Sequence, residues 1–326
     1  MKVSVIIPTM NRRDAVLRTV ESVLNQDYPA SEYEIIVVVD GGMDDTAQAL
    51  RTFDTGLRLR IVEQENRGLP GARNSGFRIA AGELLVFLDD DMTCSNGWLR
   101  AHVAAHEATG PDEIVGMGAI YISADHPPSL AAEMFIRGQG AEYLIHRDSP
   151  EAPWPANVWS FANTSISHGL LQSLGSFDER FRMREDGELG VRLLKAGVRQ
   201  HFIANAVAYQ WCEKSAEELV RDAEAFAQYD LLYVQKHPGW MPHTFLTQIR
   251  NEGRCKRAAR RLLADHLKSA DAFLAPLSAM GERQHIPRPL RQLAIRALQL
   301  QCGLHWYRRI SELSGAAPEG LATRRS

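Results

Sequence analysis

Strand-like and helix-like segments alternate through the first hundred residues, and this alternation constrains the fold more than any other feature of the sequence. Short runs rich in Val, Ile and Leu are followed by segments whose apolar residues recur at helical spacing. The predicted strands are 3–8, 34–39, 58–62 and 84–88, and the predicted helices are 13–25, 44–53 and 71–81. Strands that alternate with helices of this length predict an α/β fold, in which helices flank a mainly parallel sheet.

The remainder of the chain is less regular and becomes helical towards its end. The pattern is loose over residues 111–181, and helices are predicted at 189–196 and 213–236. We therefore expect one domain over residues 1–240, made of halves 1–110 and 111–240, then a helical basic extension over 241–316 and a disordered tail over 317–326.

Composition points to a soluble globular protein. Hydrophobic residues make up 45% of the 326 and charged residues 24%, which is ordinary for such proteins. The amino-terminal residues do not resemble a signal peptide, and no apolar segment has the length that a membrane-spanning helix needs. The four cysteines are scattered without disulfide or metal-ligand spacing. We therefore expect a cytoplasmic protein.

The net charge of −3 conceals a basic carboxyl-terminal part. Residues 244–326 contain 15 Lys and Arg against 6 Asp and Glu, so the rest of the chain carries an excess of about 12 negative charges. A solvated helical face packed on the main domain would explain the basic part, and so would peripheral contact with the inner face of an anionic membrane or with another protein. No recognisable nucleic-acid-binding module is present, so we expect no nucleic-acid partner.

Three carboxylates follow the apolar strand at 84–88. Asp89, Asp90 and Asp91 would repel one another in a buried position, so they either form a plain acidic loop or surround something positive. In parallel sheets, ligands bind beyond the carboxyl ends of the strands. Asp89 and Asp91 could therefore share Mg²⁺ or Mn²⁺ with substrate phosphates, since these cations prefer oxygen ligands.

Two further residues could contact a nucleotide. Asp40 follows the second strand and could accept a hydrogen bond from a base or a ribose, although Asp also caps helices. Arg73 lies in the glycine-containing segment 68–74 and offers a planar guanidinium for phosphate or base. That segment is not the dinucleotide-binding fingerprint, because it lacks GxGxxG and follows the third strand.

Glu185 and Asp186 begin a predicted helix. The positive end of the helix dipole favours anions there, so the pair could simply cap the helix. A carboxylate in this position could also take a proton from an attacking hydroxyl group.

Six segments in this order resemble the family 2 glycosyltransferases. The segments are VSVIIPTMNR, EIIVVVDGG, NRGLPGARNSG, LVFLDDDM, FANTSI and GSFDERFRMREDGEL. The resemblance extends from Met1 to about Gly239 and implies a GT-A fold and an inverting enzyme that uses a nucleotide-diphospho-sugar.

The resemblance also implies roles for individual residues. Asp91 would hold the divalent metal, Mn²⁺ or Mg²⁺, with Asp89 beside it and near the ribose. Asp186 would be the general base and Glu185 its helper. The expected nucleotide-site residues are Pro8, Thr9, Asn11, Asp40, Arg73, Asp89 and Asp90. The candidates for the acceptor or sugar side are Asn163, Trp154 and Trp159, and core packing would equally explain either Trp.

One position departs from the family. Many relatives have a further metal-ligating His where this chain has Gln210, and Gln is a neutral, weaker ligand. The family favours UDP as the nucleotide, with dTDP and GDP open, and the acceptor could be a glycan, a lipid-linked molecule or a small molecule. The alternatives are a nucleotidyltransferase of similar fold and an inactive sugar-nucleotide-binding protein.

Overall fold

The structure is a computed structural model in which the chain forms two compact units. It describes residues 1–53, 58–125, 129–130, 133–134, 159–211, 214–238, 249, 252–282 and 286–315. The first unit comprises Met1–His126 and Ala141–Trp211, and the second comprises Pro127–Gly140 and Cys212–Ser326. The boundary expected at residue 240 is therefore corrected to residue 212, because the helix before residue 240 packs with the carboxyl-terminal helices. The expected disordered tail lies outside the described residues.

The first unit contains eight strands and six helices among its described residues. The strands are β1 (Val3–Thr9), β2 (Tyr33–Asp40), β3 (Leu59–Gln64), β4 (Leu84–Leu88), β5 (Met92–Cys94), β6 (Ile114–Ile122), β7 (Asn163–Ser167) and β8 (Arg199–Gln210). The helices are α1 (Arg13–Leu24), α2 (Thr46–Leu50), α3 (Gly68–Ile79), α4 (Trp98–Thr109), α5 (His168–Ser173) and α6 (Glu185–Lys195).

These strands form one mixed sheet in the order β3-β2-β1-β4-β7-β6-β8-β5. The pairs β1–β2, β1–β4, β2–β3 and β6–β8 are parallel. The pairs β4–β7, β6–β7 and β5–β8 are antiparallel. Strands β1 to β4 are thus parallel to their neighbours among themselves, as predicted, and every antiparallel pair includes β7 or β8, which follow residue 110.

Strands β1, β2 and β4 are buried on both faces, which explains why they are apolar almost without interruption. Alternate side chains of β1 divide between two core clusters: Val3, Val5 and Ile7 pack in one, and Ile6 packs in the other. Helices α1 and α4 contribute to the first cluster, and α3, α5 and α6 flank the second. The sheet is therefore a rigid, two-sided support for whatever lies at its edge.

The second unit is helical in its described residues. Its helices are α7 (Ala216–Lys236), α8 (Arg254–Asp265), α9 (Leu267–Met280) and α10 (Arg288–Ser314). Ser215 and Glu218 form a capping box that begins α7, as Ser at the N-cap and Glu three residues later commonly do. Inside the unit, the buried Trp306 indole donates a 2.8 Å hydrogen bond to Asp230. No helix among the described residues is both long and apolar enough to cross a membrane.

Candidate active site

Polar side chains meet at the carboxyl ends of three neighbouring parallel strands. Thr9 ends β1 and Asp40 ends β2, while residues 89–91 follow β4 directly. Because β2, β1 and β4 are adjacent in the sheet, these groups share one edge, which is where ligands bind in sheets of this kind. The prediction that the acidic triplet lies at this edge is confirmed by the strand order.

Arg73 links the triplet to the start of α6. Its guanidinium donates to Glu185 Oε1 at 3.0 Å, Asp186 Oδ1 at 2.6 Å and Asp89 Oδ1 at 3.2 Å. The side chain is only 1% exposed. Arg73 was expected to offer its guanidinium to phosphate or base, and in the structure the group is buried and hydrogen-bonds to carboxylates. It holds three carboxylates from distant parts of the chain together.

Asp186 keeps some contact with solvent, whereas Glu185 does not. The Asp186 side chain is 21% exposed against 7% for Glu185, and Asp186 Oδ2 accepts a 3.0 Å hydrogen bond from the Phe161 amide. Burial raises the pKa of both carboxyls, and the positive charge of Arg73 opposes the rise. A carboxylate with a raised pKa in a fixed orientation is suited to take a proton near neutral pH.

The backbone is strained immediately before this pair. Arg184, the residue preceding α6, adopts a φ of +68°, a left-handed conformation that is uncommon for residues other than glycine. Asn11, after β1, does the same at +54°. Such conformations cost of the order of 1–3 kcal/mol and are frequent at functional sites. Both lie beside residues that the sequence analysis selected.

Asp90 is directed towards the protein rather than towards the edge of the sheet. Its carboxylate accepts hydrogen bonds of 2.7 Å from both Thr9 Oγ1 and Arg12 Nη1. Burial raises the pKa of Asp90 to about 7, and Arg12 opposes this rise. Asp90 and Thr9 were expected to line the nucleotide site, and in the structure they hydrogen-bond to each other while Asp90 also holds Arg12.

Asp91 lies beside Gln210, as the resemblance to the family implied. Met92 pairs with Gln210 across β5 and β8, and Gln210 Nε2 lies 3.4 Å from both carboxylate oxygens of Asp91. Arg12 Nη2 lies 3.3 Å from the same carboxylate. Burial raises the pKa of Asp91 to about 6, with a further contribution from Asp89.

These residues fit a divalent cation that also binds substrate. The buried Gln210 Oε1 has no hydrogen-bond partner within the described chain, and rotation of the amide would turn this oxygen towards Asp91. No group of three or more Asp, Glu, His or Cys side chains in the described residues is arranged for a metal. One carboxylate and one amide oxygen are sufficient protein ligands for Mg²⁺ or Mn²⁺ when phosphates and water supply the others.

The expected nucleotide-side residues lie around Asp40. Asp40 is buried, and its Oδ1 accepts hydrogen bonds from Gln64 Nε2 at 2.6 Å and from the Arg67 amide at 2.8 Å. Asn11 Oδ1 accepts a 2.9 Å hydrogen bond from the Met43 amide, which fixes the loop after β2 against the loop after β1. Pro8 is buried inside β1 and shapes this edge through the backbone.

The acceptor-side residues are not supported. Asn163 is 2% exposed. Its amide accepts from Trp98 and His102 and donates to the carbonyls of Ala119 and Ala206. Both the oxygen and the nitrogen of the amide are therefore hydrogen-bonded inside the protein, and Asn163 is placed in the core.

The two tryptophans give different outcomes. Trp159 is 6% exposed and packs against Gly190 of α6, where an added Cβ would lie 2.2 Å from the indole ring. It is therefore a core residue and not a platform for a sugar. Trp154 lies outside the described residues.

Arg12, Gln64 and the Phe161 amide were not predicted. Arg12 adjoins Asn11 in a quoted motif, but nothing in the sequence indicates that it reaches Asp90 across 78 residues. Gln64 ends β3, and only the pairing of β2 with β3 places it opposite Asp40. The sequence does not indicate which backbone amide, such as that of Phe161, will hydrogen-bond to a site residue.

The fold has known counterparts among nucleotide-sugar transferases. One is the mannosyltransferase PcManGT from Pyrobaculum calidifontis in complex with GDP-Man and Mn²⁺, at TM-score 0.62 and 19% identity over 94% of this chain and 86% of that chain. Another is residues 1–349 of S. aureus TarS in complex with UDP, at TM-score 0.55 and 18% identity over 97% and 92% of the two chains. These similarities establish the GT-A fold.

Sequence comparison finds similarity to one family of glycosyltransferases. Residues 4–158 match the model of glycosyl transferase family 2. Validoxylamine A glucosyltransferase from Streptomyces hygroscopicus subsp. jinggangensis is 27% identical over 74% of this chain and 62% of its own length. Glycosyltransferase AglE from Haloferax volcanii is 38% identical over 63% of this chain and 65% of its own length. The chain is thus similar to family 2 glycosyltransferases over residues 4–158, and it spans about three fifths of the length of these curated relatives.

Proposed function

We propose that this protein transfers a sugar from a nucleotide-diphospho-sugar, with UDP as the expected nucleotide, to an acceptor hydroxyl group with inversion at the anomeric carbon. The observation that carries the proposal is the position of Asp186. Buried Arg73 fixes this partly exposed carboxylate next to Asp89 of the triplet. A proton acceptor and a diphosphate site would then lie at adjacent points of one sheet edge.

The proposed reaction is a single displacement. The acceptor oxygen attacks the anomeric carbon from the face opposite the nucleotide, and the bond from that carbon to the diphosphate oxygen breaks. Its electron pair leaves with the nucleoside diphosphate. The acceptor proton passes to Asp186, whose raised pKa suits it as the base. Arg73 would hold Asp186 in position, and Glu185 would add negative charge next to it.

Asp91 and Gln210 would hold the divalent metal, with Asp89 nearby. When bound, the metal would neutralise the charge that develops on the departing diphosphate. The Mn²⁺ in the PcManGT structure supports a metal in proteins of this fold. Arg12 lies within reach of Asp91 and would supply a permanent positive charge at the same place.

The partners remain proposals. The neighbours in complex with UDP and with GDP-Man support a nucleotide-sugar donor. The acceptor stays open among a glycan, a lipid-linked molecule and a small molecule. Cytoplasmic localisation and peripheral contact with the inner face of a membrane also stay predictions.

Titration calorimetry with nucleotides tests the donor side. UDP, GDP and dTDP are each titrated into the protein with Mn²⁺, with Mg²⁺ and with EDTA. We expect one diphosphate to bind in a metal-dependent manner, and Asp91→Ala to remove that dependence. If no diphosphate binds under any condition, the proposal fails.

A base variant tests the chemistry. Asp186→Asn keeps the shape and the hydrogen bond from Phe161, so donor binding should persist, while turnover should fall by about 10²–10⁴-fold, the usual contribution of a general base. Asp27→Asn is the matched control, because Asp27 is 67% exposed, pairs with Arg100 and lies before β2, at the opposite end of that strand from Asp40, and it should keep turnover. Near-normal turnover of Asp186→Asn would refute the assignment of the base. Release of pyrophosphate from a nucleoside triphosphate would identify a nucleotidyltransferase instead.

A further inference from the structure

Helix α8 in the second unit has its apolar side turned outwards. At 100° per residue, Cys255, Ala259 and Leu262 lie on one face, and all three are exposed. Leu262 is 60% exposed and the adjacent Leu263 is 38% exposed. Ala264, on the opposite side, is the one buried residue of the helix. A surface helix normally directs its apolar side to the core, so the orientation of α8 is inverted.

Basic side chains border this apolar face. Arg254 and Arg261 lie along one edge of it, and Lys256 lies along the other; all three are exposed. Lys256 reaches Glu252 at 3.0 Å, with its side chain still 70% exposed. Asp265 is the one acidic residue of the helix.

Helix α9 also exposes apolar side chains. It begins directly after His266, which ends α8. Phe273 is 71% exposed, a high value for a large aromatic side chain. The exposed residues of α9 are Lys268, Ser269, Ala272, Phe273, Ala275, Pro276 and Ala279. Among them the one charge is the positive charge of Lys268. We call the exposed residues of the two helices the α8–α9 surface.

We propose that the α8–α9 surface binds an anionic lipid membrane, with α8 and α9 lying in the plane of the interface. Leu262, Leu263 and Phe273 would enter the boundary between headgroups and acyl chains, while Arg254, Lys256 and Arg261 contact lipid phosphates. Helices with an apolar face bordered by Lys and Arg bind membranes in this manner. The inference specifies the membrane contact within the proposed function and does not depend on the transfer chemistry.

A second copy of the chain would fit this surface less well. A two-fold interface brings the same patch of each subunit together, so the basic residues of one copy would approach those of the other. Anionic lipid offers both components that the surface lacks, an apolar layer and negative charge. Charge complementarity therefore favours the membrane.

Co-sedimentation of the full chain with vesicles tests the proposal. The vesicles contain phosphatidylcholine alone or phosphatidylcholine with phosphatidylglycerol. We expect binding to the mixed vesicles, weakening as salt is raised, and much weaker binding to phosphatidylcholine alone. Absence of binding to the mixed vesicles would overturn the proposal.

Two double variants distinguish the effect of this surface on vesicle binding from the effect of net charge. Arg254→Glu with Arg261→Glu should lower the partition coefficient by at least about tenfold, since each basic residue near an anionic surface contributes a factor of about five. Arg308→Glu with Arg309→Glu on α10 makes the same change in net charge at exposed positions and should retain binding within about twofold. Equal losses in the two double variants would mean that only net charge matters and would overturn the proposal.

A second pair tests the apolar part. Leu262→Ser with Phe273→Ser should lower binding by about tenfold or more, whereas Met43→Ser, at a fully exposed methionine of the first unit, should not. Light scattering on the same proteins detects self-association. A dimer that the Leu262→Ser, Phe273→Ser variant abolishes, without vesicle binding by the parent, would assign the surface to a second copy. Diphosphate binding by calorimetry is read separately, so failure of the proposed transfer function is distinguishable from failure of the membrane contact.

Discussion

Arg73 is the residue on which the geometry of the site depends. One buried guanidinium neutralises parts of three carboxylates that come from the end of β4 and the start of α6. Removing charged groups from water is energetically costly, and the attraction between arginine and carboxylates offsets this cost only while both partners are present. The arginine therefore contributes to stability as well as to the position of Asp186.

Replacing Arg73 with Gln should destabilise the first unit. The change leaves Glu185 and its neighbours as uncompensated buried charges, and breaking a buried ion pair in this way costs about 3–5 kcal/mol. Without the arginine the carboxyl pKa values rise further in the folded state, so the folded variant takes up protons as pH falls. The deficit relative to the parent should therefore be larger at pH 8 than at pH 6. Urea unfolding at the two pH values measures it.

Arg78→Gln is the control for this prediction. Arg78 pairs with Glu179 at 3.2 Å with its own side chain 51% exposed, and exposed pairs contribute about 0–1 kcal/mol. A similar loss of stability in the two variants would contradict the view that burial of Arg73 determines its effect.

Sequence alone indicates the members of this ion cluster but not its connections. Asp89, Glu185 and Asp186 stand out because carboxylates at a strand end and at a helix start require an explanation. Arg73 stands out as a lone arginine in a glycine-containing segment, and phosphate binding was a reasonable expectation for it. That its partners lie 112 and 113 residues away follows only from the packing of α3 against the sheet. The sequence predicts which charged residues are important here, but it does not predict that Arg73 pairs with these carboxylates.

At the scale of elements, the position of α6 depends on a glycine. Gly190 lies in the middle of the helix, and a Cβ there would approach the Trp159 ring to 2.2 Å. The helix can approach the tryptophan closely because this position lacks a side chain. Asp186 lies at the start of the same helix, so the packing of α6 against Trp159 also determines the position of the proposed base.

Gly190→Ala should therefore destabilise the protein although Ala is the better helix former. Helix propensity favours Ala by about 1 kcal/mol, whereas overpacking a buried contact costs about 1–3 kcal/mol. The steric cost should exceed the gain in helix propensity, so the protein should be less stable. Turnover should fall because α6 is displaced. Thermal unfolding and a transfer assay measure the two effects.

Gly169→Ala in α5 supplies the comparison. Nothing lies within 4 Å of the Cβ that it would add, so stability should be unchanged or rise by up to about 1 kcal/mol. Stabilisation by both substitutions would show that Trp159 can move to accommodate the added methyl group and that the packing of α6 against it is not tight.

The strands that were predicted from the sequence contain apolar residues, whereas β7, which was not predicted, contains buried polar residues. The strands β1 to β4 bury Val, Ile and Leu, so an apolar run marks each of them. Strand β7 buries Asn163, Thr164, Ser165 and Ser167, and a polar sequence gives no indication of a central strand. These side chains are tolerated because hydrogen bonds from other elements satisfy them, and those partners are known only once the chain has folded.

At the scale of the molecule, the first unit contains a histidine that should make its stability depend on pH. His102 of α4 is fully buried between Ser165 Oγ at 2.9 Å and Asn163 Oδ1 at 3.0 Å. Asn163 Oδ1 accepts from both the Trp98 indole and His102 Nε2, and Ser165 Oγ donates to the Gly116 carbonyl at 3.3 Å. The neutral form of the imidazole is favoured because the side chain is fully buried and these partners carry no negative charge.

Burial lowers the pKa of His102 from 6.5 to about 3, and the hydrogen bond to Asn163 opposes the change only partly. Because the unfolded chain binds a proton at higher pH than the folded chain does, the contribution of His102 to stability is present above pH 6.5. It is lost as pH falls towards 3, at up to about 1.4 kcal/mol per pH unit. Acidification should therefore unfold the first unit through this residue in addition to its carboxylates.

His102→Gln removes the titrating group while keeping a side chain that can donate to Asn163. Between pH 6.5 and pH 4 the free energy of unfolding of the parent should fall more steeply than that of the variant, by the equivalent of about one proton. The two units can unfold separately, so the measurement is urea-dependent hydrogen exchange read from peptides that contain β4 and β7. Identical slopes for the two proteins would mean that His102 is protonated in the folded state, and that the network around Asn163 tolerates a buried positive charge.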